Sequence, residues 1–323
     1  MTHHGARHGS SGGGRDLIGL QAMDVETMRR LLRSSWAMAN DWRGARGKPP
    51  QPDLAGRTIA NLFFENSTRT RVSFTIAAQR LGANVVDLSS AGSSVAKGET
   101  LVDTVRTIEA MGVDALVVRH ASSGAAALAA STADIPVLNA GDGSHEHPTQ
   151  GLLDSLTVAE AHARTDAFDL SGLRLAIVGD VAHSRVARSD IAAWTALGAS
   201  VVCVGPPTLA PRTLEALGVE VRHDLDAVLP EVDGLQALRV QFERAASLSS
   251  ARDYAAAFQI NPARLARMKK SAVVMHPGPM NRGLEIAGDA AEAVDGPRGV
   301  VLRQVENGVY MRMAALRWCL GQD

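Results

Sequence analysis

Ser67, Thr68, Arg69, Thr70 and Arg71 place three hydroxyls and two guanidiniums within five positions, between an apolar run and the start of a helical period. At the first turn of a helix the backbone N–H groups lack intrahelical acceptors and the dipole is positive, so such a cluster suits a phosphate group. Arginine is the fitting cation, because its planar fork grips two phosphate oxygens at once. The same residues also read as a plain Ser/Thr N-cap with surface arginines. Three more turns follow the pattern. The run 115–119 ends in Arg119-His120, the run 136–139 leads into NAGDGSHEHPTQ with His147 and Gln150, and the run 272–276 leads into HPGPMNRG. Each sets a cation or an amide at the carboxyl end of a strand, where open α/β sheets bind their ligands. His147 has a bland alternative, a backbone hydrogen bond beside a proline, and His183, His223 and His276 read as structural.

The elements that must hold these turns alternate. Strand-like runs fall at 57–64, 84–88, 115–119, 136–139, 174–178, 200–204, 219–222, 234–238 and 272–276. Stretches of helical period separate most of them, at 71–81, 99–111, 148–162, 186–197 and 211–217, with a further helix at 23–41. Short, continuously apolar strands between helices argue for βαβ units and parallel sheets covered on both faces. The expected fold is α/β, with two doubly wound parallel-sheet domains and the active site in the cleft between them. The expected boundaries are a disordered tail at 1–15, a first domain at 16–160 and a second at 161–305, divided at the polar stretch HARTDAFDLSG. A last helix at about 306–323 is expected to return to the first domain, although the sequence alone leaves either half open.

Bulk composition narrows the function. Thirty-three Lys and Arg against 34 Asp and Glu leave no global field to draw in nucleic acid, so an anion site must be local. No apolar run approaches the roughly 20 residues of a membrane span. Cys203 and Cys319 make neither a disulfide framework nor a metal-ligand spacing, and no metal is expected; His3, His4 and His8 lack carboxylate or thiolate partners. With no signal-peptide pattern visible, the expected location is the cytoplasm. RLAIVGDVAHSRVARS has the look of a nucleotide-binding unit, yet its turn has no G-x-G-x-x-G and carries Arg185 where a pyrophosphate needs bare backbone. A dinucleotide is therefore rejected, and no cofactor is expected.

FFENSTRTRVSF, SSVAKGETLVDT, VVRH, NAGDGSHEHPTQGLLD, IVGDVAHSRVARS, LRVQFER and HPGPMNRGLEI occur in the order of the motifs of the aspartate carbamoyltransferase catalytic chains, and over roughly residues 16–320 the chain resembles that family. The resemblance implies transfer of the carbamoyl group of carbamoyl phosphate to the amino group of L-aspartate, early in pyrimidine synthesis, by a homotrimer with shared sites. A regulatory chain or dihydroorotase is a possible further partner; nucleic acid and membrane are not. By the same resemblance, Ser67, Thr68, Arg69 and Thr70 hold the phosphate. Thr70, Arg119 and His147 face the carbonyl oxygen, while Gln150 and the backbone around Pro277, Gly278 and Pro279 hold the carbamoyl NH2. Arg185 takes the α-carboxylate of aspartate, and Arg239 with Gln241 the β-carboxylate. Ser93 and Lys97 reach into the neighbouring subunit's site, and Glu65 bridges the domains on closure by pairing with Arg185 and Arg244.

Two rivals stand against this reading. An ornithine enzyme shares S-T-R-T-R and H-P-T-Q, but its cationic acceptor calls for an acidic or neutral partner where this chain has Arg239. A silent paralogue acting as a scaffold should have lost ligands, and none of those named is missing. Two departures are Thr75, where the family usually has Glu, and Gly151, where Ala is common; glycine in an early helical turn costs up to about 1 kcal/mol.

Overall fold

The computed structural model describes residues 14–44, 52–89, 99–240, 250–294 and 299–322. Its strands are β1 Thr58–Phe63, β2 Asn84–Ser89, β3 Ala115–His120, β4 Val137–Asp142, β5 Arg174–Val178, β6 Ser200–Val204, β7 Glu220–Arg222, β8 Gly234–Ala237 and β9 Val273–Met275. They form two sheets, ordered β2-β1-β3-β4 and β7-β6-β5-β8-β9, in which every pair is parallel. The expected α/β class and the expected strands are all present.

Side-chain alternation explains why the strands read as unbroken apolar runs. On β1, Ile59 and Phe63 point into one core while Ala60 and Leu62 point into another. On β5, Leu175 and Ile177 join the same core as Ile59, and Ala176 and Val178 face the far side. One shared core thus lies between the sheets, and each sheet has a second core on its outer face. Parallel strands covered on both faces have no polar side to show.

The helices are α1 Val25–Gly44, α2 Thr68–Arg80, α3 Leu101–Ala110, α4 Ala125–Thr132, α5 Pro148–Ala161, α6 Arg185–Ala196, α7 Leu225–Val228, α8 Ala251–Phe258, α9 Pro262–Arg267, α10 Gly288–Val294 and α11 Val301–Cys319, with a 3-10 turn at Arg212–Leu217. On α1 the buried Met28, Leu31, Leu32, Ser35, Met38 and Ala39 recur at three- and four-residue spacing, which makes one face apolar. α11 begins at Val301, earlier than its apolar period suggested, because exposed Leu302 and Val305 blur the first turns. It packs on α1, α2 and α5. Arg15, assigned to the tail on sequence, donates its N–H to the carbonyl of Cys319, 2.9 Å away.

α5 is the central helix and is buried from Pro148 to Ala159. Gly151 explains how α6 comes so close: a Cβ there would lie 2.6 Å from the carbonyl oxygen of Ser189. The glycine that departs from the family pattern therefore serves helix contact, which offsets its entropic penalty. Thr75, the other departure, accepts a hydrogen bond from Asn61 at 3.2 Å. Among the described residues no helix is long and apolar enough to cross a membrane.

In each sheet the chain reverses its winding direction once, between β1 and β3 in the first and between β5 and β8 in the second. Such switch points leave a crevice beyond the carboxyl ends of the strands. Here the turns after β1, β4, β5, β8 and β9, together with Arg119 near the end of β3, all supply lining to a single cavity of about 490 Å³.

Candidate active site

The turn after β1 brings Ser67 to the N-cap of α2. Ser67 makes no side-chain cap bond, so its hydroxyl is not spent on the helix's own N–H groups. Thr68, Arg69 and Thr70 follow in the first turn, and all four line the cavity. Across the cavity, Gly278 has φ +69°, and a Cβ on it would sit 3.0 Å from Cζ of Arg69. Glycine lets the backbone lie directly against that guanidinium. Burial, and then the charge of Arg239, hold Arg69 below its ordinary pKa.

Arg119, at the end of β3, is buried and donates from Nη1 to the carbonyl of Ala140 at 2.8 Å. Its pKa is pushed down to about 10, first by burial and then by the charge of Arg185, with Glu65 opposing. Arg185 begins α6 and grips Glu65 through both arms, Nη1 to Oε2 at 2.9 Å and Nη2 to Oε1 at 2.8 Å, while Nη1 also donates to the carbonyl of Gly143 at 2.9 Å. Nη2 of Arg119 lies 3.5 Å from the same Oε1. Gly141, with φ +110°, makes room for both arginines: a Cβ would meet Arg119 Nη1 at 2.8 Å and Arg185 Nε at 2.9 Å.

His147 is the N-cap of α5, ahead of Pro148 at the first helical position. Its backbone N–H donates to Oγ of Ser189 at 2.9 Å, and both ring nitrogens are buried without a partner among the described residues. Burial first, then the charges of Arg312, Arg119 and Arg185, hold its pKa well below the ordinary value. That shift favours the neutral imidazole, which has one N–H to give. One turn on, Gln150 donates from Nε2 to both oxygens of Asp154 at 3.0 and 3.1 Å, which turns its carbonyl oxygen the other way.

From the second half, Arg239 enters just after β8, and Pro277, Gly278 and Pro279 follow β9; all four line the cavity. His276 orients this last turn. Its Nδ1 accepts the N–H of Gly278 at 2.8 Å, so the ring proton sits on Nε2, which faces Glu285 Oε1 at 3.2 Å. Ser93, Lys97, Gln241 and Arg244 lie outside the described residues.

Two further residues matter here that the sequence reading did not single out: Arg312, which lines the cavity, and Asp154, which lies behind it. Arg312, on α11, is buried, stacks 5.2 Å from the Phe74 ring centroid and donates to the carbonyl of Gly308 at 3.0 Å; burial pushes it down to about 10. A lone arginine in the apolar run GVYMRMAAL is the signal that could have found it. Asp154 sits behind Gln150, and a buried charge on a helix in which Leu152, Leu153, Leu156 and Val158 are also buried is the signal for it. Among the described residues no three His, Cys, Asp or Glu side chains gather as metal ligands. The arrangement offers an anion cradle, a converging set of N–H donors around Arg119 and His147, and a second group of guanidiniums on the facing wall.

Two family models match the chain: the aspartate/ornithine carbamoyltransferase carbamoyl-P binding domain over residues 15–160 and the Asp/Orn binding domain over 171–319. The aspartate carbamoyltransferase catalytic subunit of Novosphingobium aromaticivorans is 54% identical over 307 residues, covering 94% of this chain and 88% of its own. The aspartate transcarbamoylase of Trypanosoma cruzi, solved in complex with carbamoyl phosphate and aspartate, is similar at TM-score 0.80 and 32% identity, over 95% of this chain and 96% of its own. The ornithine carbamoyltransferase of Pyrococcus furiosus is similar at TM-score 0.82 and 28% identity, over 98% and 100%.

Proposed function

The chain belongs to the aspartate/ornithine carbamoyltransferase family, and from that premise we infer that it transfers the carbamoyl group of carbamoyl phosphate to the amino group of L-aspartate, giving N-carbamoyl-L-aspartate and phosphate. Fold alone does not choose the acceptor, since an aspartate and an ornithine enzyme are about equally similar in shape. The observation that carries the choice is Arg239, which lines the same cavity as the Arg69 cradle, together with Arg185. A second carboxylate on the acceptor answers that charge, and an ornithine side chain would be repelled by it.

The residues divide the reaction among themselves. Ser67, Thr68, Arg69 and Thr70 hold the phosphate of the donor, using the unpaired N–H groups at the start of α2. Arg119, Thr70 and His147 point donors at the carbonyl oxygen, where charge builds as the carbon becomes tetrahedral; each such donor is worth about 3–4 kcal/mol. Gln150 and the 277–279 backbone accept from the carbamoyl NH2. Arg185 takes one aspartate carboxylate, and Arg239 with Gln241 the other. Glu65, already paired with Arg185 across the cleft, is the domain-closure residue, with Arg244 its further partner.

The aspartate nitrogen forms a bond to the carbonyl carbon, and the bond from that carbon to the phosphate oxygen breaks. The amine's surplus proton ends on the departing phosphate, which gains a negative charge as its bond to carbon breaks and leaves as the dianion, while burial and three nearby guanidiniums disfavour a proton on His147. Holding two anions side by side in reactive alignment supplies on the order of 7–11 kcal/mol. The arginines offset their mutual repulsion.

The active unit is a homotrimer in which Ser93 and Lys97 complete the neighbour's site, acting in the cytoplasm at an early step of pyrimidine synthesis. The support is the position of Lys97 in a Gly/Ser-rich stretch far in sequence from Arg69, and the family's architecture. Incubating the purified protein with carbamoyl phosphate and either aspartate or ornithine tests the acceptor: carbamoyl-aspartate should form, and preference for ornithine would overturn the assignment. Mixing inactive Arg69→Ala with inactive Lys97→Ala subunits should restore partial activity, and no recovery in exchanged trimers would refute the shared site.

A further inference from the structure

Behind the cavity lies a buried polar knot that the reaction above does not use. Asp154, fully buried on α5, accepts hydrogen bonds from the Nε2 atoms of three glutamines: Gln150 at 3.0 and 3.1 Å, Gln236 of β8 at 3.0 Å and Gln304 of α11 at 2.5 Å. Asp190 of α6, also fully buried, faces it, and neither Asp190 oxygen receives a protein donor. Two carboxylates cannot both stay ionised in such a place. Burial and the neighbouring Asp154 raise Asp190 well above the ordinary carboxylate range, while burial raises Asp154 only to about 6. Those directions favour the proton on Asp190 and leave Asp154 free to accept from all three amides.

The consequence reaches the donor pocket by two routes. Because Asp154 claims the NH2 group of Gln150, the Gln150 carbonyl oxygen must turn outward. Because it also claims the NH2 group of Gln304, that residue's Oε1 is left to accept the N–H of His276 at 3.1 Å, and His276 in turn holds Gly278. Both walls expected to receive the carbamoyl NH2 are thus oriented by one carboxylate.

We propose that Asp154, supported by Asp190, is the positioning residue that makes the donor site select an acyl phosphate bearing NH2, by committing Gln150 and the 276–279 turn to act as acceptors. This rests on the carbamoyl-transfer reading. It acts through other residues and touches no substrate.

The test compares carbamoyl phosphate with acetyl phosphate, in which a methyl group replaces NH2, and with inorganic phosphate. Dissociation constants are measured by titration calorimetry without aspartate, so that no transfer occurs. In Asp154→Asn the new amide cannot accept from all three glutamines, and Gln150 flips to present its own NH2. Carbamoyl phosphate should then bind about 30-fold more weakly, the scale of one unsatisfied buried polar group, while acetyl phosphate and phosphate change less than about twofold. Equal weakening of all three ligands, or undiminished carbamoyl phosphate binding, would overturn the proposal. Should Asp154→Asn fail to fold, Gln304→Met keeps Asp154 and frees only the 276–279 turn. It should show about a tenfold loss confined to carbamoyl phosphate, and a loss shared by acetyl phosphate would refute the idea. The acceptor assay on unaltered protein separates the two readings: failure to carbamoylate aspartate sinks the function, while the binding comparison stands or falls by itself.

Discussion

The helices α2 and α6 start in the same way, after a parallel strand and with a serine followed by arginine-bearing turns, yet they meet the cavity differently. Ser67 leaves the start of α2 uncapped, whereas Ser184 accepts the N–H of Ala187 at 3.2 Å and closes the start of α6. One helix start leaves its serine hydroxyl free of the helix, as the proposed phosphate cradle requires; the other spends its serine on its own first turn. α5 sides with α2, for His147 makes no cap bond either. On the proposed reading an arginine beside a helix start is part of a phosphate cradle at α2 and a side-chain cation alone at α6, and the capping hydrogen bond is the difference between them.

Removing the cation from the open end should have the largest effect. Arg69→Ala should lower kcat/KM about 1,000-fold and abolish tight phosphate binding, as measured by steady-state kinetics and calorimetry. If phosphate affinity survives, the start of α2 is not the cradle. Arg185→Ala should cost about 100-fold in kcat/KM for aspartate while phosphate affinity stays within about twofold. Loss of phosphate binding there would erase the contrast between the two helices.

His147 sharpens the comparison through pH. Its folded-state pKa is depressed, so below about pH 6.5 the unfolded chain takes up a proton that the folded chain refuses, and stability falls by up to about 1.4 kcal/mol per pH unit. Asp190 and Asp154 act with the opposite sign. Their raised values contribute stability that is present in acid and lost as pH rises above about 3.8, through about 6 for Asp154 and on to the higher value of Asp190. Thermal melts of His147→Gln against unaltered protein from pH 5 to pH 8 isolate the histidine: the variant should lack its acid-side loss, and parallel curves would mean that His147 is protonated when folded.

The smallest effect tests the caps directly. Ser184→Ala should destabilise by about 1 kcal/mol, a few degrees in Tm, with phosphate affinity unchanged. Ser67→Ala should leave Tm nearly unmoved and weaken phosphate binding about tenfold. Reversed outcomes would exchange the roles of the two serines.

Nine strands were legible because buried parallel strands are continuous apolar runs, and their ends carried the arginines, His147 and Gln150. α4 was not singled out: AAALAAST is almost uniformly small and has no period to read. Arg312 and Asp154 escaped because a charge inside an apolar helix has no meaning until its surroundings are known. Gly151 looked like a mild defect until α6 proved to lie against it.

The order of the elements, the phosphate-type turn and the choice of arginine as cation follow from local physics, namely period, propensity and the unpaired groups at helix ends, and a chain carries these in its residue order. Tertiary structure decided which helix start keeps its serine uncapped, that burial holds the pKa of His147 down, and that three glutamines converge on Asp154. Those outcomes depend on burial and on partners more than a hundred residues apart, such as Asp154 and Gln304. Desolvation and long-range hydrogen bonding exist only once the two sheets close on their shared core.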